Sequence, residues 1–133
     1  MTGGRGDQRP KDLEERTAKF GEEVIDFLRK VPKSSLTNRL ISLLVECSSS
    51  LWANYCEAYE AVSRRDFKYR IGICKKEARE AKHFLRLIAR ASPANKVQAR
   101  VLWQEAKELH LIFSSMYRKT KVELDDTPPK TCK

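Results

Sequence analysis

The sequence predicts an all-α fold, an antiparallel up-down-up-down four-helix bundle, on three observations. Apolar residues recur at three- and four-residue spacings in four separate stretches. A proline or a serine cap punctuates each junction between them. Only five Gly and five Pro occur in 133 residues, several of them near the two ends, so little else interrupts a helix. A chain of this length supports one domain around one core. Its 34% charged and 41% hydrophobic residues are the composition of a globular helical chain rather than a disordered one.

The first stretch carries Leu13, Phe20, Val24, Ile25, Leu28 and Val31 along one side of a helix. Pro32 ends it, because proline lacks a backbone donor and disfavours helix at the residue before it. The chain therefore turns before Ser34 and Ser35 offer N-caps to the second helix. That helix carries Leu36, Leu40, Leu44, Cys47, Leu51, Tyr55, Ala58 and Val62. It passes through Ser48, Ser49 and Ser50 without losing phase, and three small residues in mid-helix point to close approach by a neighbour. Ser63, followed three residues later by Asp66, resembles a capping box with a shorter carboxylate in place of Glu, so a third helix starts near Arg64.

The third helix has the strongest period. Phe67, Ile71, Cys74, Ala78, Ala81, Leu85 and Ile88 alternate steps of four and three, the pattern of helices packed at a shallow angle. Ser92 and Pro93 then supply an N-cap and a first-turn proline for the fourth helix, which carries Val101, Leu102, Leu109, Ile112, Phe113 and Met116 and fades near Lys121. Connections of about two to four residues cannot cross a bundle, so each helix runs antiparallel to its neighbours in sequence.

The expected organisation is a bundle domain at 11–123 between disordered tails at 1–10 and 124–133, where Gly3, Gly4, Gly6, Pro10, Pro128 and Pro129 leave no apolar period. Without an apolar leader or a run of membrane length, the expected location is cytoplasmic and no membrane is involved. In that setting Arg5-Gly6-Asp7 is a chance occurrence rather than an integrin motif. Phe27, Leu43, Trp52, Phe84 and Trp103 fall off the main apolar stripes, and so many outward apolar side chains predict a patch that an oligomer would cover.

Catalytic chemistry finds no footing. Cys47, Cys56, Cys74 and Cys132 match neither a metal knuckle nor a disulfide framework; the first three read as small core or near-core residues and Cys132 as a free tail thiol. Glu80 and His83 form the ExxH pair of di-iron bundles. Such centres use two pairs, and His110 stands two residues after Glu108 and five after Glu105, so it completes no second. A Cys/His nucleophile lacks an orienting group and an oxyanion site, and the internal glycines Gly21 and Gly72 are isolated, so no loop cradles a phosphate. No enzyme activity, metal or cofactor is predicted.

The basic residues are more informative. Lys and Arg outnumber Asp and Glu by 27 to 18, a formal charge of +9, which favours a polyanion or an acidic protein partner. On an ideal helix Lys68, Lys75, Arg79, Lys82, Arg86 and Arg90 fall within an arc of about 80° beside the apolar face, with no acid inside it. A one-sign stripe about 30 Å long suits phosphates contacted without base readout. The competing reading is that these side chains pair with acids of a neighbouring helix or subunit.

Three segments carry a family resemblance: Ser50-Leu51-Trp52-Ala53-Asn54-Tyr55-Cys56-Glu57-Ala58, then Ser63-Arg64-Arg65-Asp66-Phe67, then Lys75-Lys76-Glu77-Ala78-Arg79-Glu80. Together they resemble the signature of the four-helix bundle protein family. That family includes proteins encoded within intervening sequences of bacterial 23S ribosomal RNA genes and the accessory variability determinants of diversity-generating retroelements. The resemblance spans about residues 12 to 121. It implies a homopentameric barrel of antiparallel bundles, a positive surface, no enzymatic activity and, in the retroelement branch, binding to a reverse transcriptase and its RNA. By the same likeness Asn54, Glu57 and Glu77 make interhelical polar contacts, with Lys76 and Arg79 as candidate partners. The chain departs from the family pattern at Trp52, where a small residue is usual, and at His83 and Phe84, where Tyr and Trp are usual.

Two functional expectations follow. The first is a non-enzymatic oligomeric accessory protein that binds nucleic acid, RNA before DNA, or an RNA–reverse transcriptase complex, through Lys68, Lys75, Arg79, Lys82, Arg86 and Arg90. The alternative is an oligomeric scaffold or interaction module with no nucleic-acid role.

Overall fold

A computed structural model describes residues 10–123. The expectations for most of the two tails, for Arg5-Gly6-Asp7 and for Cys132 lie outside the described residues. Among those described there are four α-helices and no strand: α1 Pro10–Leu28, α2 Ser35–Tyr59, α3 Arg64–Ala91 and α4 Lys96–Lys119. The helix α3 packs extensively against both α2 and α4, while α1 lies mainly on α2 and touches α4 more lightly. No helix is long and apolar enough to cross a membrane.

The predicted caps form at two of the three junctions. The Ser34 hydroxyl accepts from the Thr37 amide at 3.1 Å, and the Thr37 hydroxyl donates to the Pro32 carbonyl at 2.7 Å, closing the turn after α1. The Ser63 hydroxyl accepts from the Asp66 amide at 3.0 Å and starts α3. The third junction differs. Ser92 ends α3 and does not cap α4; a single 3-10 turn, Pro93–Asn95, stands between the helices. The proline ring starts that tighter turn, and the Ser92 hydroxyl accepts from the Asn95 side-chain amide at 2.8 Å instead of from a helix N–H.

In the third helix Ile71, Cys74, Ala78, Ala81, Leu85 and Ile88 are buried as expected, while Phe67 is only partly buried against the core. Four other expected core positions are exposed: Ile25, Leu36, Val62 and Val101. Val62 lies beyond the end of α2, and Leu36 sits in its first turn at the end of the bundle, where no helix covers it. In α1 the buried residues are Leu13, Thr17, Phe20, Val24, Phe27 and Leu28, and Val31 continues the stripe just past the helix end, so Phe27 takes the place read for Ile25. Thr17 belongs there because its hydroxyl donates to the Leu13 carbonyl at 2.8 Å and leaves no polar group unpaired. Val101 stands one residue before buried Leu102, about 100° away around the helix.

Of the three small residues of α2, Ser48 and Ser50 are packed inward or against α3, while Ser49 is exposed and donates to the Val45 carbonyl of its own helix. Ser48 is buried, Ser50 bonds to Glu77 of α3, and the Cys74 thiol approaches the Leu51 carbonyl at 3.7 Å. Cys47 and Cys74 are buried, and burial pushes both thiols up to about 12, so they stay protonated and inert at neutral pH. Cys56 is half-buried.

Candidate nucleic-acid interface

The antiparallel hairpin of α3 and α4 sets two seven-residue repeats side by side. Lys68, Lys75 and Lys82 run down α3 while Tyr117, His110 and Trp103 run up α4, so each lysine meets a ring. The Lys68 and Lys75 ammonium groups lie 4.6 and 5.0 Å from the Tyr117 ring centre. Lys82 and Lys107 each lie 5.7 Å from that of Trp103. Successive rungs are about 10 Å apart. Gly72 favours the first rung: a Cβ there would stand 3.0 Å from the Tyr117 ring and would push it a few tenths of an ångström off α3, whereas glycine lets the ring settle between the two lysines. Attraction between a cation and a ring face holds each ammonium over an apolar surface without neutralising it.

Arg79, Arg86 and Arg90 flank the rungs and are exposed. Toward the hairpin turn, Arg86 and Arg90 are joined by Lys96 and Arg100 of α4 around a recess of about 590 Å³ floored by Leu85, Ala89 and Ala99. The stripe predicted on α3 is therefore one wall of a groove whose other wall is also basic. Among the described residues none of the six predicted cations forms a salt bridge. The competing reading, pairing with a neighbouring helix, is not realised among the described residues, where the acids of α4 face away. Glu105 and Glu108 point toward α1, where Arg16 grips them: its Nε donates to Glu105 at 2.7 Å, and one terminal nitrogen reaches Glu105 at 2.9 Å and Glu108 at 2.8 Å. Those carboxylates raise the Arg16 pKa further, chiefly through the Glu105 hydrogen bonds.

His110, the middle rung, is half-buried in a recess of about 450 Å³ with Gly72, Lys75, Lys76, Arg79 and Tyr117. Burial first, then Lys82, Lys75 and Arg79, hold its pKa below the usual imidazole range. Sequence reasoning did not place Lys96, Arg100, Lys107, Trp103, His110 and Tyr117 in this site. The signal was the recurrence of a ring every seven residues in the fourth helix, in step with the lysines of the third.

The opposite side of α3 is organised differently. Arg70 donates to the Asn54 side-chain oxygen at 2.9 Å, and the Asn54 side-chain nitrogen donates to the Ser50 hydroxyl at 3.0 Å and the Ser50 carbonyl at 2.9 Å. The Ser50 hydroxyl donates in turn to Glu77 at 3.2 Å. This chain ties α2 to α3 through Asn54 and Glu77, as the resemblance implied, but with other partners. Lys76 is exposed, and Arg79 lies in the basic groove on the far side of α3 from Glu77. Glu57, on the same side of α2 as Ser50 and Asn54, is exposed and among the described residues makes no side-chain hydrogen bond or ion pair. Burial raises the Glu77 pKa, against the Ser50 hydrogen bond that lowers it. Glu80 and Glu46 share a recess with Glu77, while His83 is exposed against Phe84. Among the described residues no group of His, Cys, Asp and Glu converges to hold a metal ion.

No protein-family model matches the sequence, and no curated protein sequence matches it. A solved structure does. A protein of unknown function from the S23 ribosomal protein family of Bacteroides thetaiotaomicron superposes with a TM-score of 0.72 at 22% identity, over 83% of this chain and 98% of the other. The likeness is one of fold. The bundle described by α1 to α4 is thus an architecture seen by crystallography across almost the whole of that protein.

Proposed function

We propose that the chain is a non-enzymatic nucleic-acid-binding protein of the 23S ribosomal RNA intervening-sequence type, acting on RNA in preference to DNA through the α3–α4 groove. The observation that carries this is the groove itself: two facing walls of lysine and arginine with aromatic rings between them and no carboxylate. A solvated surface normally sets charges of both signs against each other, as the α1–α4 side does with Arg16, Glu105 and Glu108. Leaving some ten cations unneutralised in one groove destabilises the folded state by self-repulsion, and a bound phosphate backbone removes that penalty. The spacing of the cations follows the helices rather than any base edge, so contacts are to backbone phosphates and sequence preference is weak.

The working form in this reading is an oligomer, a homopentamer by the family resemblance, with a reverse transcriptase–RNA complex as partner if the chain belongs to the retroelement branch. Exposed Trp52 and Tyr59 of α2, Val62 of the following turn and Tyr69 of α3 support an interface on this part of the bundle. Trp52 is also where the chain departs from the family pattern, so its subunit contacts differ from those of relatives with a small residue.

The test is a mobility-shift series across salt with a structured RNA. Affinity should fall steeply as salt rises, and Lys82→Gln with Arg86→Gln should flatten the dependence by up to about two units of slope. An unchanged curve, with the oligomer intact by light scattering, would remove the groove as the binding site and favour the scaffold alternative.

A further inference from the structure

The central rung of the groove differs from its neighbours in one chemical respect: it can change charge near neutral pH. His110 stands between Trp103 and Tyr117 in a recess built from α3 and α4 alone. Facing it from α3 are Lys75, Arg79 and Lys82, with Lys76 at the rim; on α4 its neighbours are Lys107, one turn before, and Tyr117, two turns after. No carboxylate faces it from either helix. Glu105 and Glu108 are held on the α1 side by Arg16, and Glu77 and Glu80 lie on the α2 side of α3.

We propose that His110 is a phosphate contact of this groove that carries its second proton only when a polyanion is seated, so that nucleic-acid binding takes up a proton and tightens as pH falls. The inference rests on the groove being a nucleic-acid site. In the empty groove an imidazolium would be partly buried and would face three cations, which disfavours the protonated ring and accounts for the depressed pKa described above. A phosphate backbone lying along Lys75, Arg79 and Lys82 reverses the sign of the local field. The protonated ring then offers donors at both nitrogens, one more than the neutral ring can. Whatever amount binding raises the affinity of His110 for a proton, the proton raises the affinity for the polyanion by the same factor.

Histidine is the side chain whose ordinary pKa lies between about pH 5 and 8, and the chain has two, His83 and His110. His83 is exposed and packs beside Phe84 rather than in the recess.

The experiment uses a rhodamine-labelled 20-nucleotide oligo(U), in which neither phosphodiester nor base changes charge over this range. Anisotropy titrations are run at one ionic strength from about pH 7.5 to pH 5.5. The full chain should bind about three- to tenfold more tightly at the acid end, the tenfold limit being one unit of pKa change. His83→Gln should keep that dependence. His110→Gln should lose it. His110→Arg, charged throughout, should also lose it while binding more tightly than the unsubstituted chain at pH 7.5. Two results overturn the inference: affinity independent of pH in the unsubstituted chain, or a pH dependence that survives His110→Gln. Either would leave the groove standing as a nucleic-acid site. Absence of oligo(U) binding at every pH and salt concentration would remove the site and the inference together.

Discussion

The two sides of α3 use the same residue types to opposite ends. Toward α2, Arg70, Asn54, Ser50 and Glu77 form one hydrogen-bonded chain in which each polar group answers the next. Toward α4, Lys68, Lys75 and Lys82 lie over rings, and Arg79, Arg86 and Arg90 face solvent, with no acid to meet them. The difference is set by where the carboxylates fall around the helices. Glu77 and Glu80 take the α2 side of α3, and Arg16 draws Glu105 and Glu108 to the far side of α4. Polar side chains that must satisfy one another hold a fold together; a row of like charges left unsatisfied is a surface with binding capacity in reserve.

Three variants bear on this contrast, in falling order of effect. Leu85 is fully buried in the α3 stripe that both sides share. Leu85→Ala should cost about 2 to 5 kcal/mol in denaturant unfolding, from lost transfer energy plus the residual cavity. A change under about 0.5 kcal/mol would mean the shared core does not set the position of either side.

Asn54→Ala tests the α2 side. It breaks the polar chain in the middle and leaves the half-buried Ser50 and Arg70 groups to find water, which should cost about 1 to 2 kcal/mol. If the cost is negligible, the chain is an exposed decoration and the two sides of α3 do not differ in kind.

The smallest effect belongs to the α4 side. Lys82→Gln with Arg86→Gln removes one cation–ring contact but also relieves repulsion among like charges, so stability should change by less than about 0.5 kcal/mol. Added salt, which screens that repulsion, should stabilise the unsubstituted chain more than the double variant. A large loss of stability would show that the cations are structural after all, as they would be if they paired across subunits.

Much of this architecture is legible in the sequence, for physical reasons that differ by region. The third helix declares itself because its two neighbours bury one continuous stripe, and a strict four-three alternation leaves little freedom of phase. In the first helix Ile25 and Phe27 both fit a loose count of threes and fours, and only the position of α2 decides that Phe27 turns inward. The basic stripe is visible because a helix's own geometry places Lys75, Arg79 and Lys82 together. Its aromatic wall is harder to see: Lys75 and Tyr117 are far apart in sequence, and their meeting depends on how α3 and α4 register across the Pro93–Asn95 turn. The partner of Asn54 was missed for a related reason. Arg70, Lys76 and Arg79 are all basic residues of α3, and only Arg70 stands at the angle that reaches α2.

The shared seven-residue register of the α3–α4 groove also makes its length a modular quantity. Two turns added to both helices would insert one further lysine–ring pair without rotating either core stripe, because seven residues return a packed helix nearly to the same face. An insertion of any other size in one helix alone would turn the cations of one wall away from the rings of the other. If the proposed function holds, a hairpin of this kind can be lengthened or shortened by whole rungs to match polyanions of different span, while the cross-section of the groove is kept.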